Sequence, residues 1–157
     1  MKNKDLLDLF SALESVNSDI CSAKFKYGIA RNKKVIENQI KILQDLIKPS
    51  DEYIQAENER LAICYKYCER DESNNPRMIN NMFVMKEDTR AESDTEITEF
   101  MAKNKDIFDE AVKKSQEVSA ILEEEVNIEL YSITIDAVPD TIKQAEMDVF
   151  TRLDMIV

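Results

Sequence analysis

The residues best suited to chemistry lie together at positions 24–34, Lys24-Phe25-Lys26-Tyr27-Gly28-Ile29-Ala30-Arg31-Asn32-Lys33-Lys34. On a helix, Lys24 and Arg31 point about 20° apart, with Tyr27 and Lys34 within about 60° of Arg31. Two or three cations beside an aromatic ring can hold a phosphate and stack on a base, or meet an acidic patch on a protein. Lys24, Lys26, Tyr27, Arg31, Lys33 and Lys34 are therefore the candidate binding residues. The competing expectation is that these cations pair with the chain's own carboxylates, as mixed-sign helix surfaces do, each exposed pair contributing only ~0–1 kcal/mol.

The run stands out because the 157-residue chain carries a net charge of −11. Residues 20–48 hold seven basic side chains against Glu37 and Asp45, a net of +5. Residues 1–19 carry −2, which leaves −14 on residues 49–157. A chain this acidic repels a polyanion beyond a local contact, so extended nucleic acid is not an expected partner. The carboxylates of the acidic part are interleaved with Lys103, Lys105, Lys113 and Lys114, which suits solubility better than mimicry of a nucleic acid.

Catalytic chemistry has little to work with. There is no histidine, which removes Ser-His-Asp and Cys-His catalysis and His-ligated zinc. Cys21, Cys64 and Cys68 form no CxxC pair; Cys64 and Cys68 are expected as small core residues rather than ligands. Glu96-x-x-Glu99 and Asp106-x-x-Asp109 superficially match the carboxylate pairs of all-α pyrophosphatases that hold Mg²⁺. Both pairs fall within one expected helix, whereas such a metal needs carboxylates converging from different helices. The expectation is thus a non-enzymatic chain with no cofactor and no metal site. No apolar run reaches the length of a membrane span, so the expected setting is a reducing cytosol.

The elements that must position the basic run are helical. With one Gly and three Pro, turn-rich all-β folds and Gly-cradled nucleotide folds are disfavoured. Phe25, Ile29, Ile36, Ile40, Leu43, Ile47, Ile54, Leu61, Cys64 and Cys68 recur in steps that sum threes and fours, one buried helix face. The expected elements are a short helix over 5–16, a polar break at Asn17-Ser18-Asp19, and helices over 22–48 and 51–69. The stripe keeps register across Pro49, which favours a kink over a break. Asn80-Asn81 between short apolar runs predicts a hairpin. Ser93 with Glu96 predicts a capping box opening a helix over 94–124. Alternation over 126–135 predicts a strand bulged near Leu130, and Thr141 with Gln144 a cap for a C-terminal helix over 141–155. Gly28, costing ~1 kcal/mol in mid-helix, implies close approach of another backbone, most commonly in a tight helix crossing, or of a ligand. The fold class is α+β, predominantly α: one domain built on a long antiparallel helical hairpin with a small β element and a closing helix. Such amphipathic, coiled-coil-like hairpins favour a homodimer.

The layout of the 24–34 segment, the acidic helix pair with its short hairpin, and the closing strand ahead of Pro139 resembles a group of small phage and prophage accessory proteins. The resemblance implies a viral or mobile-element protein of the bacterial host cytosol that binds a host or viral protein, with defence evasion as its purpose. The alternatives are a sponge for a small anionic nucleotide signal and a helical assembly factor. No functional residues carry over from the group.

Overall fold

The computed structural model describes residues 1–16 and 21–157, so the polar break expected at residues 17–19 lies outside the described residues. Among the described residues are six α-helices: α1 (Asn3–Ser15), α2 (Ala23–Ile47), α3 (Asp51–Tyr67), α4 (Arg90–Lys103), α5 (Lys105–Glu123) and α6 (Gln144–Arg152). A two-stranded antiparallel sheet, β1 (Met78–Ile79) and β2 (Met82–Phe83), completes a predominantly helical α+β fold. The sequence shows no linker, yet the contacts group the chain into two compact units, Met1–Lys48 with Glu117–Val157, and Pro49–Gln116.

The boundary at residue 48 has a local cause. Proline disfavours helical ψ in the residue before it, and Lys48 is accordingly extended (φ −59°, ψ 126°). Ser50 then caps a fresh helix, its hydroxyl accepting from the Tyr53 N–H at 3.2 Å. The proline thus breaks the helix rather than kinking it. The apolar stripe is not one seam either: Phe25, Ile29, Ile36, Ile40 and Leu43 are buried, whereas Ile47 and Ile54 are exposed.

In the first unit, the core joins Leu6, Leu9 and Leu13 of α1 to the buried face of α2, with Ile133, Phe150, Met155 and Ile156 closing it. α1 opens with the Asp5 carboxylate accepting from the Lys2 N–H at 2.7 Å. α6 packs on α1 and opens the same way, Glu146 accepting from the Lys143 N–H at 3.0 Å. The expected cap at Thr141 with Gln144 is therefore displaced by two residues. Burial would raise the Glu146 pKa, but the Ser15 hydroxyl, the Lys143 N–H and the Lys143 charge outweigh it and hold the carboxyl low.

Residues 126–135 do not form the expected strand. A single parallel bridge joins Ile133 to Ile156, and Ile135 opens a short 3-10 helix, Ile135–Ala137. The segment's backbone is satisfied piecemeal: Val126 N–H donates to Met1 O (2.8 Å), and Ile133 N–H to Met155 O (2.7 Å). Val157 N–H then donates to Ile133 O, and Ile135 N–H to Val157 O, both at 2.9 Å. The pairing is confined to residues 133–135 against 155–157 and does not extend along the segment.

In the second unit the chain doubles back. Tyr67 near the end of α3 meets Glu96 of α4, while Tyr53 near the start of α3 lies 5.8 Å, ring to ring, from Phe108 of α5. This is the antiparallel helical hairpin expected from the sequence, confined to this unit. The helix expected over 94–124 starts earlier and is divided at Asn104. Ser93 therefore sits inside α4, fully buried and with its Oγ unpaired among the described residues, instead of capping. The hairpin forms where Asn80-Asn81 predicts, both residues in the left-handed region (φ 50° and 62°), the geometry a two-residue turn demands. A lone hairpin is marginal, and this one gains support from residues 68–70, where Glu69 N–H donates to Val84 O and Arg77 N–H to Glu69 O.

Candidate functional site

The basic run occupies the first three turns of α2. Ser22 caps it, accepting from the Phe25 N–H at 3.3 Å and donating to Ala137 O at 3.1 Å. Because Phe25, Ile29, Asn32 and Ile36 face the core, Lys24, Tyr27 and Arg31 must face outward.

A second element completes the face. Asn32 is fully buried, and its side chain grips the backbone of Tyr131 as another strand would. Its Nδ2 donates to Tyr131 O (2.9 Å) and its Oδ1 accepts from the Tyr131 N–H (2.7 Å). One turn earlier, Gly28 makes room for the same segment. A Cβ there would lie 2.4 Å from Ile133 Cδ1 and 2.5 Å from its Cγ1. The glycine is thus explained by close approach of the segment that carries Tyr131 and Ile133, rather than by a crossing helix. Clamped in this way, residues 131–134 lie beside the outward face of α2.

The resulting cluster is cationic and aromatic. The Tyr27 and Tyr131 rings meet edge to face at 5.5 Å and 87°. Arg31 Cζ lies 4.8 Å from the Tyr131 ring centroid, and its Nη1 donates to the Tyr27 hydroxyl at 3.4 Å. Lys24 Nζ donates to Thr134 Oγ1 at 2.8 Å. Tyr27 remains 56% exposed, so the cluster is a surface rather than a pocket floor.

Of the six candidates, the structure brings Lys24, Tyr27 and Arg31 together. Lys33 turns away to pair with Glu14 at 2.7 Å, and Lys34 pairs with Glu37 on its own helix. Lys34 holds the Glu37 carboxyl below the usual carboxylate range through that hydrogen bond and its charge. The Lys26 side chain is exposed and has no hydrogen-bond or ion-pair partner among the described residues. The four-residue clamp expected of Lys24, Tyr27, Arg31 and Lys34 is thus a trio, joined by Tyr131 and Thr134 of the segment whose alternation predicts a strand. Asn32, a polar residue among apolar positions of the buried face, was the available signal for a docked backbone there.

The remaining carboxylates are placed differently from the sequence reading. Glu96 and Glu99 belong to α4, and Asp106 and Asp109 to α5, so the two pairs lie on separate helices. Glu96 is occupied by Lys66 and by the Tyr67 hydroxyl, which together hold its pKa down, and Asp109 pairs with Lys105. Among the described residues no group of three or more carboxylates and thiols is arranged to hold a metal ion. Two shallow grooves occur in the second unit, one along α3 at Asp51, Ile54, Asn58 and Ala62, the other between Tyr67 and the α4 residues Glu92, Glu96 and Glu99. The latter is acidic and repels anions. No helix is long and apolar enough to cross a membrane. No protein-family model, curated protein or solved structure matches the chain.

Proposed function

We propose that this chain is a non-enzymatic binding protein that docks an acidic surface of a protein partner through the outward face of α2. The observation that carries the reading is that Lys24, Lys26 and Arg31 have no carboxylate partner among the described residues, in a chain with eleven surplus negative charges. Carboxylates so abundant would neutralise these cations at little cost, and an exposed cationic patch speeds encounter with a complementary acidic one. The positive end of the α2 dipole lies at the same place and adds to the attraction.

A small nucleotide fits the same residues less well. Arg31 already lies over the Tyr131 ring and Tyr27 meets that ring edge-on, which takes up a surface that a base would stack upon. The wider setting follows the resemblance stated above: an accessory protein of a phage or mobile element, acting in the bacterial cytosol against a host defence factor.

The test is capture of a partner from bacterial lysate by the tagged full chain, in parallel with a Lys24→Glu/Lys26→Glu/Arg31→Glu variant. A stoichiometric partner held by the parent, released by the triple variant and weakened in 1 M salt, where the Debye length is ~3 Å, supports the reading. A partner retained equally by both chains, or none at all, counts against it. A thermal shift with linear or cyclic nucleotides, abolished in the triple variant, would favour the nucleotide reading instead.

A further inference from the structure

The outward face of α2 does not end with its cations. Lys24, Arg31, Val35 and Ile42 fall within about 40° of one another around the helix. They define a straight strip about 27 Å long at 1.5 Å per residue. Its first half offers two cations and its second half two β-branched aliphatics, Val35 42% exposed and Ile42 60% exposed. Both lie outside the buried face of Phe25, Ile29, Ile36, Ile40 and Leu43, so they serve no purpose in the core. Their seven-residue spacing is that of successive anchors along a helix seam. Laid parallel on this strip, a second α2 would set Lys24 and Arg31 against their own copies, and laid antiparallel it would set them against Ile42 and Val35. A second copy of α2 is therefore the wrong occupant on grounds of charge.

Resting on the docking role proposed above, we propose that the partner element is an acidic amphipathic helix, its carboxylates meeting Lys24 and Arg31 and its aliphatic side chains covering Val35 and Ile42. Charge order sets the register: the acidic end lies over the start of α2, about 16 Å from the apolar end. Lys24 and Arg31 exclude a basic helix from the same strip.

Three labelled 18-residue helical peptides test this against the full chain by fluorescence anisotropy. One carries Glu at one end and Leu at heptad spacing toward the other, one has its Leu residues replaced by Ala, and one has its Glu residues replaced by Lys. The first peptide is expected to bind about tenfold more tightly than the Ala peptide, and the Lys peptide not at all. Val35→Ser/Ile42→Ser, at exposed positions that leave the helical circular dichroism unchanged, should remove the tenfold advantage of the Leu peptide over the Ala peptide. Equal affinity for the Leu and Ala peptides, or an advantage that survives Val35→Ser/Ile42→Ser, overturns the apolar half of the strip. Partner capture that depends on Lys24, Lys26 and Arg31 would still stand in that case. Sedimentation showing dimers that Val35→Ser/Ile42→Ser dissociates would overturn the proposal in favour of a second copy.

Discussion

Asn32→Ala removes the clamp that brings Tyr131 to the face of α2, and its cost follows from the geometry. The side chain makes two hydrogen bonds to one peptide segment, 2.9 Å to Tyr131 O and 2.7 Å from Tyr131 N–H, from a fully buried position. Truncation leaves both backbone groups without a partner where water has restricted access. Each such group costs about 1–3 kcal/mol, and because the site is only partly buried the expected loss is about 2–4 kcal/mol. That is a large fraction of the ~5–15 kcal/mol that holds a domain together. With a urea slope of ~1–3 kcal/mol per molar, the unfolding midpoint followed by circular dichroism should fall by roughly 1–2 M. Asn32→Leu, which keeps the volume and loses the bonds, should be equally damaging, and hydrogen exchange at the Tyr131 amide should accelerate in both. An Asn32→Leu chain as stable as the parent, with the Tyr131 amide still protected, would refute the clamp.

Gly28→Ala gains up to ~1 kcal/mol of helix propensity but forces a methyl into buried Ile133. Overpacking of that kind costs ~1–3 kcal/mol, so net destabilisation by chemical denaturation is expected, and a stabilised variant would mean that Ile133 repacks freely. At the hairpin, Asn81→Gly should be neutral to stabilising and Asn80→Val destabilising by ~1–2 kcal/mol, because both positions have positive φ; a Val chain with unchanged thermal midpoint would contradict this. Glu123 accepts hydrogen bonds from Lys2 and Lys4, which pull its pKa from 4.5 down to about 2. Since the folded-state value is depressed, the clasp contributes above the ordinary carboxylate range and is lost as pH falls toward about 2. Carbon-detected NMR titration should place the Glu123 midpoint well below 4.5, rising in Lys2→Gln/Lys4→Gln, and an identical midpoint in parent and variant would rule out the clasp.

Period and turn chemistry made much of this fold legible before any coordinates. The 22–48 and 51–69 helices, the Asn80-Asn81 hairpin and the inward face of Phe25, Ile29 and Ile36 follow from spacing that burial enforces. What misled was local chemistry with two valid outcomes. Ser93 followed by Glu96 has the form of a capping box, yet packing buries Ser93 inside α4. Alternation over 126–135 reads as a strand, but the polar groups there are met by Asn32 and by the chain's last residues rather than by a neighbouring strand. Tyr131 and Thr134 joined the candidate face only through that long-range docking, which no local pattern encodes. The charge excess at 24–34 was visible in the sequence, but which lysines would be spent on Glu14 and Glu37 depended on the packing of α1 and on rotamers along α2.

The central claim is that the outward face of α2 receives an acidic helical partner. Titrating ¹⁵N-labelled full chain with the Glu/Leu peptide tests it most directly. Amide shifts should concentrate at Lys24, Tyr27, Arg31, Val35, Ile42 and the adjoining Tyr131. Shifts confined to the hairpin or the α3 groove, or none as the peptide saturates, would contradict it.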